Sequence, residues 1–108
     1  MNVLFVYVTV ADDAEAERIS QAVVEERLAA CANLLGDIRS VYWWDEKVCN
    51  GKEVAMILKT TEERKSELVE RIKQLHSYDC PCITCFPITF GNSDFLGWIK
   101  QETKNDNP

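Results

Sequence analysis

The sequence predicts an α+β domain of the ferredoxin-like split βαβ type, β-α-β-β-α-β with an added C-terminal helix, and three observations carry that prediction. Apolar residues switch between the strand and helix periods in that order. Ser, Thr, Asp or Asn capping signals stand at the points where the period changes. Right-handed βαβ crossovers then leave few ways to lay the order into one sheet. The 108 residues suffice for one core, so residues 1–104 read as a single domain and residues 105–108 as a frayed tail.

Val3 to Val10 is an unbroken apolar and aromatic run, rich in β-branched residues and stopped by Ala11-Asp12-Asp13, which predicts the first strand. Asp12 and Glu15 have capping-box spacing, and Ile19, Ala22 and Val23 give a helix from about Asp13 to Arg27 its apolar stripe. Cys31 to Leu35 and Ile38 to Trp44 read as one long second strand, bent at Gly36-Asp37. The polar segment Asp45 to Lys52, with Asn50-Gly51, predicts a hairpin loop before a third strand over Val54 to Lys59. Thr60 and Glu63 are a second capping-box pair, opening a helix whose face is Leu68, Val69, Ile72 and Leu75 and which ends near His76. Pro81 and Pro87 bracket Cys82 to Phe86 and demote this fourth strand to an edge. Ser93 or Asp94 can cap a last helix that carries Phe95, Leu96, Trp98 and Ile99.

In this arrangement the helices are expected on one sheet face, yet both faces are apolar. Leu4, Val6 and Val8 alternate with Val3, Phe5 and Tyr7, and Val41 and Trp43 alternate with Tyr42 and Trp44. A lone chain would expose these side chains as one patch, so the sequence predicts an oligomer that buries the open face.

Composition narrows the function. Twelve Lys and Arg against eighteen Asp and Glu give a net charge of -6, which disfavours nucleic acid and anionic membrane as partners. No apolar stretch approaches the ~20 residues of a spanning helix and no basic residue precedes Arg18, so the expectation is a soluble cytoplasmic protein. There the five cysteines, Cys31, Cys49, Cys80, Cys82 and Cys85, are expected as reduced thiols.

Several segments together resemble one family. Glu26-Arg27-Leu28-Ala29-Ala30-Cys31-Ala32-Asn33 and Ile38-Arg39-Ser40-Val41-Tyr42-Trp43-Trp44 are its most specific motifs here. Glu53-Val54 with Lys59-Thr60, His76-Ser77-Tyr78, Pro87-Ile88 and Gly91-Asn92 through Trp98 follow in the right order. The chain thus resembles the CutA divalent-cation tolerance proteins over nearly its whole length. That resemblance implies a PII-like homotrimer, a cytoplasmic setting, a link to tolerance of copper and other divalent cations, and a binding or regulatory role with no assigned catalysis. Where the family usually reads His-Pro-Tyr-Glu-Val-Pro-Glu, this chain has His76-Ser77-Tyr78-Asp79-Cys80-Pro81-Cys82, and Cys85 stands where a small apolar residue is common. A ligand role resting on that last glutamate does not carry over, and a thiol there favours softer ions.

The candidate metal ligands are therefore Cys31, His76 and Cys82, for copper or another divalent or soft ion, and each has a purely structural reading. Cys31 is a ligand or a small buried hydrophobe. His76 is a ligand beside Tyr78 or a helix C-terminal residue facing the dipole. Cys80 and Cys82, or either with His76, suit a thiophilic ion of few ligands such as Cu(I). On a strand Cys82 and Cys85 point to opposite faces, which rules out a bridge, and no helix N-terminus supports a thioredoxin-type site. Cys49 reads as an incidental exposed thiol. The competing class is a PII-like signalling module holding a small anion in an inter-subunit cleft lined by Arg27, Trp44, Lys59 and Tyr78, with an unidentified protein partner. Glu15, Glu17, Glu25, Glu62, Glu63 and Glu67 read as solubility charge. One histidine and no ordered nucleophile leave no basis for an enzyme.

Overall fold

The computed structural model describes residues 2–104; the tail expected over 105–108 lies outside them. β1 (Val3–Val10) matches the predicted run residue for residue. Asp12 caps α1 (Asp13–Glu25), its Oδ1 accepting from the Glu15 N–H at 2.8 Å. The helix closes two residues before Arg27 in a Schellman turn. The Leu28 N–H donates to the Val23 carbonyl at 2.9 Å and the Arg27 N–H to the Val24 carbonyl at 3.0 Å. Arg27 itself takes the left-handed conformation, φ 60°, a position where glycine is usual.

β2 (Cys31–Trp44) and β3 (Lys47–Thr61) form a hairpin much longer than the sequence suggested. Asp45 to Lys52 is not a loop. Trp44 pairs with Lys47, so the turn is Asp45-Glu46 alone, both at positive φ (52° and 61°), the two-residue geometry that matches strand twist. Asn50-Gly51 lies inside β3, opposite Val41 and Ser40; cross-strand packing of the aromatic β2 residues overrides the local turn signal. The bend near Gly36 is a bulge between Leu34 and Gly36, which leaves Leu35 without a partner.

β3 also runs past Lys59. Thr60 does not cap a helix: it is fully buried in the strand, and its hydroxyl donates to the Leu28 carbonyl at 2.6 Å. A 3-10 turn over Glu62–Arg64 intervenes before α2 (Lys65–Leu75), whose Leu68 and Ile72 are buried. β4 (Ile83–Ile88) pairs with β1 at the sheet edge, and α3 (Ser93–Glu102) is capped by the Asn92 side chain rather than by Ser93 or Asp94.

The sheet order is β2-β3-β1-β4, all neighbours antiparallel, as the split βαβ arrangement requires. Leu4, Val6, Val8 and Val10 meet Ala16, Ile19 and Val23 of α1, Leu68 and Ile72 of α2, and Val54, Met56 and Leu58 of β3 in the main core. The expectation that helices lie on one face needs correcting. α3 packs on the opposite face at one end, where Ile99 meets Val3 and Ala30 in a second small core. The apolar spacing located α3 but carried no information about which face would receive it.

The rest of that face is open. Beyond the Val10–Val54 pair, β2 and β3 continue together without β1 as a two-stranded arm. Val41, Trp43 and Val48 are exposed on one side of the arm and Tyr42 and Trp44 on the other, Trp43 to 73%. A bare two-stranded ribbon has little stability of its own in water, and this one is apolar on both sides. Among the described residues, no helix is long and apolar enough to cross a membrane.

Candidate functional site

Where the arm leaves the sheet, the open face forms a groove of about 660 Å³. Tyr7 and Thr9 of β1, Ile38, Tyr42 and Trp44 of β2 and Glu53 of β3 make its floor, and Tyr78, Asp79, Cys80 and Cys82 make one wall. That wall is the connection between α2 and β4, which a chain without contacts would leave free. Here each of its first residues is fastened to a different element.

His76, the C-cap of α2, is tied through both ring nitrogens. Its Nδ1 accepts from the Tyr78 N–H at 3.0 Å, which leaves Nε2 to donate to the Thr9 carbonyl at 2.8 Å. Ser77 donates from its N–H (2.8 Å) and its hydroxyl (3.0 Å) to the Glu15 carboxylate. The Tyr78 ring tilts against His76 with centroids 4.7 Å apart, and its hydroxyl donates to Glu53 at 2.9 Å. Burial and the neighbouring Glu53 carboxylate both push the Tyr78 phenol well above its ordinary value. The phenol therefore stays a donor.

Glu15 is the residue that sequence reading placed wrongly. It is not surface charge: it is only 5% exposed and also accepts from the Ala11 N–H at 2.9 Å. Burial pushes its carboxyl up, but the hydrogen bonds from Ala11 and Ser77 outweigh this and hold it below the ordinary carboxylate range. The capping-box spacing marked Glu15 as special, yet only the fold brings Ser77 to it. Glu53 was missed as a site residue because a lone glutamate in a strand carries no pattern.

The structure brings some of the expected residues together and separates others. Trp44, Tyr78 and Cys82 share the groove, and Cys80 joins them. Cys31 does not, because it opens β2 level with Lys59 and Phe5, at the other end of the sheet from the Ile38–Glu53 pair where the groove lies. It lies beside Lys59, its register partner; burial pushes its thiol up and the Lys59 ammonium only partly offsets this. Lys59 donates to the Asn33 side chain on the open face. Arg27 pairs with Glu102 of α3 at 3.0 Å, and neither basic residue lines the groove. Cys31, His76 and Cys82 thus do not converge within one chain. Among the described residues, no three His, Cys, Asp or Glu side chains gather as a metal cage.

The other cysteines separate to different sides of the sheet. Cys82 faces the groove, whereas Cys85 packs against the helix-side core, where burial raises its thiol. Cys80 and Cys82 precede β4 instead of lying in it, and both are exposed free thiols.

Comparison with known proteins places this geometry. The protein of Pyrococcus horikoshii described as a divalent-cation tolerance protein CutA is 46% identical over 101 residues, covering 94% of this chain and 98% of its own. The crystal structure of CutA1 from Oryza sativa superposes with a TM-score of 0.94 at 38% identity, over 98% of this chain and 97% of that one. The structure titled as the periplasmic divalent cation tolerance protein CutA from Archaeoglobus fulgidus gives 0.91 at 40% identity, over 94% and 99%. A model of the CutA1 divalent ion tolerance proteins matches residues 4–102, and the chain belongs to that family.

Proposed function

We propose that this protein works in metal tolerance as a cytoplasmic homotrimer that binds copper or a related ion at the groove and catalyses no reaction. What supports the reading is membership of the divalent ion tolerance family together with Cys80 and Cys82 on the wall of one groove, which Glu53 and Asp79 also line without closing a cage of three or more donors. Carboxylates and thiolates are among the side chains that take up transition-metal ions, and exposed thiols tip the preference toward the softer ones. His76 serves this site as a positioning residue, since both of its ring nitrogens are already engaged. Cys31 contributes only if a neighbouring subunit carries it across the boundary.

The resemblance supports three subunits, and the uncovered surface supports an oligomer. Tyr42, Trp43, Trp44, Phe86, Phe95 and Trp98 are among many large apolar side chains that a single chain leaves exposed, and contacts between subunits would bury them. Sedimentation of the reduced protein, combined with calorimetric titration of Cu(II) and Zn(II), tests the proposal. The expected result is a species of three chains that binds ions with a defined stoichiometry. A monomer that binds neither ion retires it.

A further inference from the structure

We propose that Cys80 and Cys82 form a two-thiolate site for a monovalent soft cation, Cu(I), at the mouth of the groove. This inference rests on the metal-binding reading above and assigns the ion and its ligands. Both thiols are free, exposed and part of the same wall.

Their separation suits the ion. Two residues apart, their Cα atoms lie at most ~7.6 Å from each other. A linear S–Cu–S unit asks for sulfurs about 4.6 Å apart, twice a metal–thiolate bond of ~2.3 Å. Two thiols on one groove wall at this backbone spacing are close enough in the chain for one ion to bridge them.

The backbone is already held for it. His76, Ser77 and Tyr78 are bonded to Thr9, Glu15 and Glu53, which fixes the approach to Cys80. The Cys82 carbonyl accepts from the Thr9 N–H at 3.4 Å, which fixes the exit. Pro81 between them has a locked φ. Little chain entropy is left to lose on binding, and that favours affinity.

The donor count selects the ion. Two thiolates satisfy a d10 monovalent cation but leave zinc, which takes four ligands, half-coordinated. On binding, both thiols release their protons to solvent as the S–Cu bonds form, and copper keeps its oxidation state. Asp79 and Glu53 line the groove alongside without being required as ligands.

The test is an anaerobic competition of the reduced full-length protein for Cu(I) held by a coloured chelator, with Cys80→Ser, Cys82→Ser, Cys31→Ser and Cys49→Ser variants. Circular dichroism confirms that each variant is folded. Either groove variant is expected to weaken binding by about 100-fold or more, since even partners outside the ligand shell cost about 10–100-fold when removed. Cys31→Ser and Cys49→Ser are expected to bind as the parent does. X-ray absorption at the copper edge should show two sulfur ligands.

Parent-like binding by folded Cys80→Ser and Cys82→Ser proteins overturns the assignment while leaving metal binding intact. Failure of the parent to take Cu(I) from the chelator also overturns it. The divalent-ion titration above then decides separately whether the protein binds metal at all.

Discussion

Glu15, in the first turn of α1, accepts two hydrogen bonds from Ser77, which lies 62 residues further along the chain. With them the start of one helix fastens the segment that follows the other, and so sets the wall of the groove. Arg18 adds a second tie, donating to the Leu75 carbonyl at the end of α2 at 2.8 Å. The wall is therefore as well placed as the helices themselves, although it has no regular structure.

Replacing Glu15 by Ala leaves the Ala11 and Ser77 N–H groups without their partner in a part-buried setting. The expected loss is about 1–2 kcal/mol, read as a fall in the urea midpoint at constant slope. Hydrogen exchange should quicken at Ser77 and Tyr78 before the core strands open.

The same carboxylate predicts acid sensitivity. Its folded-state pKa lies below the ordinary value of 4.5, so the unfolded chain takes up the proton first as pH falls. The stability contributed by Glu15 is fully present above that value and is lost as pH drops through the folded pKa. Glu15→Gln should flatten the acid limb of a stability profile. An unchanged limb would show that other carboxylates control it.

Tyr78→Phe removes the bond to Glu53 but keeps the ring against His76. A cost of about 1 kcal/mol is expected, with faster proteolytic cleavage in the segment 76–82. The core should be unaffected, which amide protection in β1 and β3 would report.

Arg27→Gly should raise stability despite removing an ion pair. The left-handed backbone costs a non-glycine residue about 1–2 kcal/mol, whereas the exposed pair to Glu102 contributes about 0–1 kcal/mol. A lowered denaturation midpoint would mean that the Glu102 tie to α3 outweighs backbone strain.

Trp43→Lys tests the assembly. Trp43 projects from the arm and touches little within its own chain, so the variant should fold. Its sedimentation mass is expected to move toward the 12.4 kDa of one subunit, because a lysine ammonium is not buried against an apolar partner without cost. A parent-like mass would show that this side of the arm stays in water.

Much of the fold was legible in the sequence because it rests on local geometry. The bounds of β1 and the cap at Asp12 both follow from strand and helix periods. The errors came where two local signals competed. Asn50-Gly51 looks like a turn, but the pairing of Val41 to Trp44 with Lys47 to Asn50 carried the hairpin past it to Asp45-Glu46. Thr60 looks like a cap, but its hydroxyl found the Leu28 carbonyl inside the sheet.

The sequence by itself determined the element order, the α+β class and the apolar character of both sheet faces, since alternation and capping depend only on neighbours along the chain. Tertiary structure decided what the residues do. It placed α3 on the second face, turned Glu15 from surface charge into the anchor of Ser77, kept Cys31 away from Cys82, and set Cys80 and Cys82 on one wall with Tyr78. The physical reason is that a hydrogen bond or a shared groove depends on where distant segments meet. Backbone periodicity carries no record of that meeting.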